Sequence, residues 1–135
     1  MLAVRIFLAL SGVLWLPYGV QCLLDPSVLA AAAGVTATSA TGTTELRAMY
    51  GGLQIALGLL ALAGAVRPAL AQHALVALGV VSAGLGFARL GAAVISGEFA
   101  SYTLMALALE FTLLAVSCAL LLRVPFAAPP AEERA

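Results

Sequence analysis

Residues 44–66 read TELRAMYGGLQIALGLLALAGAV. The last twelve positions are apolar or glycine, with none of the alternation of a strand. Taken from Glu45 to Val66, the segment has the ~20 residues that a helix needs to cross a ~30 Å hydrocarbon core. Its first half nevertheless carries Glu45, Arg47, Tyr50 and Gln54. At helical spacing, Arg47, Tyr50, Gly51, Gln54, Gly58 and Ala61 share one face. That face is polar at its start and small throughout, so it is expected to face other helices, water or a ligand rather than lipid.

Three more runs of the same kind flank it, over Val4–Leu24, Ala69–Ile95 and Tyr102–Leu122. Helices are predicted for all four, because lipid offers no partner for the open edge of a strand. The composition agrees. Of 135 residues, 64% are hydrophobic and 9% charged, against about 25% charged in a soluble domain. Too little polar surface remains to coat a globule in water. The six basic residues are all Arg and the net charge is zero. No clustered basic face marks a nucleic-acid partner.

The fold class that follows is an all-α bundle of four transmembrane helices, with a short interfacial helix between spans one and two. Asp25–Pro26 is a good helix start, a capping side chain followed by Pro at the first helical position. It predicts a helix over Pro26–Ala33 lying at the membrane surface. Thr43 or Thr44 is expected to cap the second span, Arg67–Ala69 to turn into the third, and Ser96–Ser101 to join the third to the fourth. Residues 1–123 read as one membrane domain, and 124–135, rich in Pro and charge, as a disordered tail.

Four crossings place both termini and the Arg67 turn on one side, with Arg5, Arg67, Arg123 and Arg134. The other side holds Asp25, Glu45 and Glu98, with Arg47 just inside its span. The positive-inside rule then sets both termini in the cytoplasm of a bacterium, the protein being a multi-pass inner-membrane one. The first run exceeds the 7–15 apolar residues of a signal peptide and carries Trp15 and Tyr18, so it is expected to stay as a span. Cys22 and Cys118 then lie at opposite ends of their helices, too far apart for a disulfide. Both read as small buried hydrophobes.

The intramembrane polar residues are the candidate site. Arg89 lies on the third span, Glu110 on the fourth and Gln54 on the second, all in the outer half of the bilayer. Ser11, Trp15, Tyr18 and Cys22 line one face of the first, with Gln21 close by. An unpaired charge at mid-membrane costs about 2.5–3.5 kcal/mol on the insertion scale. Arg89 and Glu110 are therefore expected to meet inside the bundle, with Tyr50, Gln54 and Arg47 near enough to complete hydrogen bonds. The pair reads first as a staple fixing helix register, and next as part of a ligand pocket with Trp15 and Tyr18 or as a contact with a partner or a second copy. For Glu45 and Arg47 the plain alternative is snorkelling to water. His73 reads as interfacial. Gly52-x-x-x-Ala56, Gly79-x-x-x-Ala83, Ser82-x-x-x-Gly86 and Gly84-x-x-x-Ala88 permit close helix approach.

No hydrolase, metal, P-loop or dinucleotide motif appears. His73 is the only histidine, so no cofactor or metal is expected. The leading functional expectation is a polar cleft that binds a lipid, another lipophilic small molecule or a partner protein, a second copy included, without catalysis of its own. The alternatives are a membrane enzyme or redox accessory subunit acting on a quinone- or isoprenoid-like substrate, and a minimal transporter.

At ELRAMYGG (45–52), LLDP (23–26), ARLGAAVISGE (88–98) and Glu110, the chain resembles an uncharacterised family of small bacterial four-helix membrane proteins, a domain of unknown function. More distantly it is similar to DoxX-like membrane proteins, some of which accompany quinone-linked oxidoreductases. The first resemblance implies the four-helix fold and marks Glu45, Arg47, Tyr50, Gly51, Arg89 and Glu110 as motif positions. It implies no activity.

Overall fold

The connections set the architecture. The structure, a computed structural model, describes residues 1–123. Among these the elements are all helical: α1 (Leu2–Leu24), α2 (Val28–Ala33), α3 (Ala40–Leu46), a π-helical turn (Arg47–Gly52), α4 (Leu53–Val66), α5 (Pro68–Ser96) and α6 (Ser101–Leu121). The segment Ala40–Val66 runs continuously through α3, the π turn and α4. With α1, α5 and α6 it makes four helices long and apolar enough to cross a membrane. The tail expected over 124–135, with Arg134, lies outside the described residues.

Each join has a local cause. Pro68 disfavours the α conformation for the residue before it, and Arg67 is extended at φ −106°, ψ 108°. One residue therefore suffices to reverse the chain between α4 and α5. Gly97 adopts φ 70° to end α5. Gly34, at φ 68°, ends α2, its N–H and that of Val35 reaching back to the Ala30 and Leu29 carbonyls. α2 begins two residues later than expected. Asp25 does cap the chain there, its Oδ1 accepting from the Ser27 N–H at 3.0 Å and the Ser27 hydroxyl at 2.6 Å. That closes Pro26–Ser27 into a turn rather than a first helical turn.

The second span starts at Ala40, five residues before the expected Glu45, and its cap is Ser39, not Thr43 or Thr44. Ser39 is extended, and its Oγ accepts from the Gly42 N–H at 3.0 Å. The Thr43 and Thr44 hydroxyls instead bond back to the Ser39 and Ala40 carbonyls. This back-bonding lets a Thr-rich stretch stay helical. Ser39→Ala should lower stability by about 1 kcal/mol. It should also speed amide exchange at Gly42 and Thr43 while leaving the α4 amides protected.

α1 packs along the second span, that span along α5, and α5 along α6. Leu8, Ala61, Ala74, Leu75 and Leu78 are fully buried at the centre, with Trp15 and Leu113 in the same cluster. At the end where α1 starts and α4 stops, the Arg5 Nε–H donates to the Ala65 carbonyl at 2.8 Å. A cation there satisfies a carbonyl left open at a helix C-terminus. The outward positions are large and apolar, among them Leu10, Leu59, Val80, Phe87, Val94 and Met105. A soluble protein does not expose such a belt, and hydrocarbon accommodates it.

The helices touch closely where glycine permits; of the small-residue motifs, those through Gly79 and Gly86 lie at the α5–α6 contact, while Gly52 and Gly84 do not. A Cβ on Gly58 would meet the Leu16 backbone, one on Gly19 the Ile55 nitrogen, and one on Gly51 the Leu23 backbone. Gly79 does face Ser117, whereas Gly52 and Gly84 face nothing. In a chain this rich in Ala and Gly, the small-xxx-small spacing fits several faces, and only one of them is inward. Cys22 is buried as expected, but Cys118 is exposed, because α6 packs mainly along α5 and turns that position outward.

Candidate functional site

Arg89 and Glu110 come together from neighbouring helices. The Arg89 Nε–H is shared between both Glu110 oxygens at 3.1 Å, and Nη2 donates to Oε1 at 2.8 Å. The cause is the α5–α6 hairpin. Its short connection sets Gly86 opposite Glu110 and Phe111, and Phe87 edge-on to Phe111 with ring centroids 5.3 Å apart. The Arg89 side chain then needs to reach less than one turn further.

The two partners differ in exposure. The Glu110 side chain is 4% exposed and that of Arg89 30%. Two of the five guanidinium N–H groups serve the carboxylate. The other three have no partner among the described residues, and the guanidinium lies 5.9 Å from the Tyr102 ring centroid, above its face. Tyr102 in turn neighbours Tyr18, which stands beside Cys22 on α1. Tyr50 is close enough to act electrostatically on Arg89. The cluster therefore draws on α1, the π turn, α5 and α6.

Tyr102 was not singled out from the sequence. The hairpin register that pairs residues 89 and 110 would have found it, since Tyr102 lies at the loop end of α6, within reach of a long side chain from α5.

Other predicted residues divide. Trp15 and Gln54 are buried, each with a polar atom lacking a partner among the described residues, Trp15 Nε1 and Gln54 Oε1. Ser11 is buried and satisfied by the Phe7 carbonyl. Tyr18 and Tyr50 are half-buried, and Gln21 points outward.

Arg47 does not join Arg89. It is exposed and lines a surface recess of ≈ 430 Å³ together with Asp25, Ser27, Ala30, Val35 and Leu46. The reason is the π turn, which inserts one residue into the helical frame. Everything before it is rotated by about 100°, one α-helical step. Arg47 thus leaves the stripe that Gln54, Gly58 and Ala61 form. Asp25, outside the spans, is held below the usual carboxylate range by the hydroxyl and amide of Ser27, with a smaller contribution from Arg47. His73 is exposed, near the start of α5. Among the described residues no group of His, Cys, Asp and Glu is placed to hold a metal ion.

Four helices long and apolar enough to cross a membrane make this a multi-pass membrane protein, with Glu110 the one buried carboxylate among the described residues. The chain belongs to the family described as Domain of unknown function (DUF4345), which matches residues 3–121. No curated protein and no solved structure matches it. The family match spans all the site residues named above and carries no sign of a DoxX-like relationship.

Proposed function

We propose that this protein binds the head of a lipid or another amphiphile at Arg89, inside the bundle, without catalysis of its own. The observation that carries the reading is the state of the guanidinium. Glu110 fixes its plane and neutralises its charge, yet three N–H donors have no partner among the described residues, on a side chain 30% exposed. A side chain serving only as a staple gains from using all its donors. A fixed fork with free donors suits a phosphate, carboxylate or carbonyl acceptor. The phenols of Tyr102, Tyr50 and Tyr18 supply further donors on an apolar surround, the usual make-up of a small-molecule site.

The proposed setting is a bacterial cytoplasmic membrane with the Arg5, Arg67 and Arg123 end in the cytoplasm. The charge asymmetry between the two ends of the bundle supports it. Arg89 then opens toward the outer leaflet.

Native mass spectrometry of the detergent-purified protein tests the binding. The wild type should retain an amphiphile adduct, and Arg89→Lys, which keeps the charge but loses the fork, should reduce it about tenfold, roughly one charge-assisted hydrogen bond. A bare wild-type protein, or an adduct indifferent to Arg89→Lys, would leave the pair as a register staple only.

A further inference from the structure

The recess between α2 and the start of the second span is a second place where charge is left unspent. Asp25 and Arg47 both line it, and Arg47 acts electrostatically on Asp25. They form no ion pair, Arg89–Glu110 being the one closer than 4 Å among the described residues. Asp25 is held in place from one side. Its Oδ1 takes two bonds from Ser27, while Oδ2 takes none among the described residues. Arg47 opens the π-helical turn and its guanidinium makes no hydrogen bond within the described residues. π turns occur frequently at functional sites, because the inserted residue re-aims a side chain. Here it turns Arg47 out of the bundle and into the recess.

We propose that this recess binds an aminophosphate zwitterion, its ammonium received by Asp25 and its phosphate by Arg47. A simple anion would gain Arg47 but meet the Asp25 carboxylate. A simple cation meets the reverse. A ligand bearing both charges, spaced by a short linker, satisfies the two together. The volume of ≈ 430 Å³ falls in the range of small-molecule sites, about 300–1,000 Å³. Beside the hydroxyls of Ser27, Thr36 and Thr43, part of the wall is apolar, formed by Pro26, Ala30, Val35 and Leu46, and the recess sits at the mouth of the crossing helices. The same chemistry is carried by an ethanolamine-type phospholipid headgroup and by a free aminophosphate. The apolar walls favour the lipid. This site shares no residue with the Arg89 cluster, so either can fail while the other stands.

The test uses the full chain in detergent, offered equal amounts of phosphatidylethanolamine and phosphatidylglycerol with matched acyl chains, and read by native mass spectrometry. The wild type should retain phosphatidylethanolamine about tenfold over phosphatidylglycerol, the worth of one charge-assisted contact. Asp25→Asn, which preserves the capping geometry, should erase that preference. Arg47→Gln should reduce retention of both lipids. Arg89→Lys should leave the preference intact. Displacement of the bound lipid by millimolar phosphoethanolamine would show that the head alone is recognised. Its failure to displace would assign the site to the lipid. Equal retention of the two lipids by the wild type, or a preference that survives Asp25→Asn, would overturn the proposal. Both charges are exposed, so unchanged far-UV circular dichroism is expected of each variant.

Discussion

Glu110→Ala, with Arg89 left in place, should destabilise the bundle by about 3 kcal/mol, the lower end of the cost of breaking a buried ion pair. The Glu110 carboxylate is almost wholly buried and accepts every hydrogen bond that fixes the guanidinium. Removing it leaves a cation with no counter-charge inside an apolar helix pair. The lower end applies because Arg89 is partly exposed and can turn its head toward the nearer bundle end, recovering some solvation. Unfolding in mixed detergent, followed by circular dichroism, gives the number. The double variant Arg89→Met, Glu110→Leu is the necessary partner. Replacing both members by apolar residues of similar volume is often neutral or stabilising by about 1–4 kcal/mol. The double variant should therefore be at least as stable as the wild type and should lose the adduct expected at Arg89. A loss below about 1 kcal/mol for Glu110→Ala would mean that the pair bears no more than a surface salt bridge does.

That pair was legible because nothing subtle governs it. Two charges on neighbouring apolar runs, joined by a six-residue connection, have one inexpensive arrangement. The four spans were legible for the same reason, since length and hydropathy report directly on the bilayer. Arg47 shows where legibility ends. A π turn and an α turn differ by one step in the hydrogen-bond ladder and carry no distinct composition, so residues 47–52 read as ordinary helix. With the frame shifted, the stripe inferred from residue 47 to residue 61 loses Arg47 but holds from Tyr50, half-buried, and Gly51, buried, onward. The cap on the second span failed differently. Ser39, Thr43 and Thr44 all have side-chain acceptors, and what selects Ser39 is an extended backbone, fixed by how the preceding loop returns from α2. The recess that Asp25 and Arg47 share rests on that same loop, which no periodicity describes.

The close contact of α1 with the second span yields the other large effect. Gly58→Leu should cost more than about 3 kcal/mol, beyond the usual overpacking penalty. A Cβ at Gly58 would lie 2.7 Å from the Leu16 nitrogen and 3.0 Å from its Cα. These are backbone atoms, so no rotamer change relieves the clash and the two helices must separate. Separation opens the Gly19 and Gly51 contacts as well, where the obstacles are again backbone atoms, of Ile55 and Leu23. Association of helices in lipid depends on packing rather than on water exclusion, so a lost contact is not replaced by a hydrophobic drive. Gly12 is the informative contrast. Its nearest obstacle is the Leu62 side chain at 2.5 Å, with the Gly58 carbonyl oxygen at 3.0 Å; a side chain can shift by a change of rotamer where the Leu16 backbone cannot, so Gly12→Ala should cost less than Gly58→Ala. Gly52→Ala and Gly84→Ala meet nothing within 4 Å and should gain up to about 1 kcal/mol from helix propensity. Thermal unfolding of this series in one detergent separates the two causes. A Gly58→Leu protein as stable as Gly84→Leu would show that α1 and the second span are not held at backbone contact, and the tight bundle described here would be wrong at its closest seam.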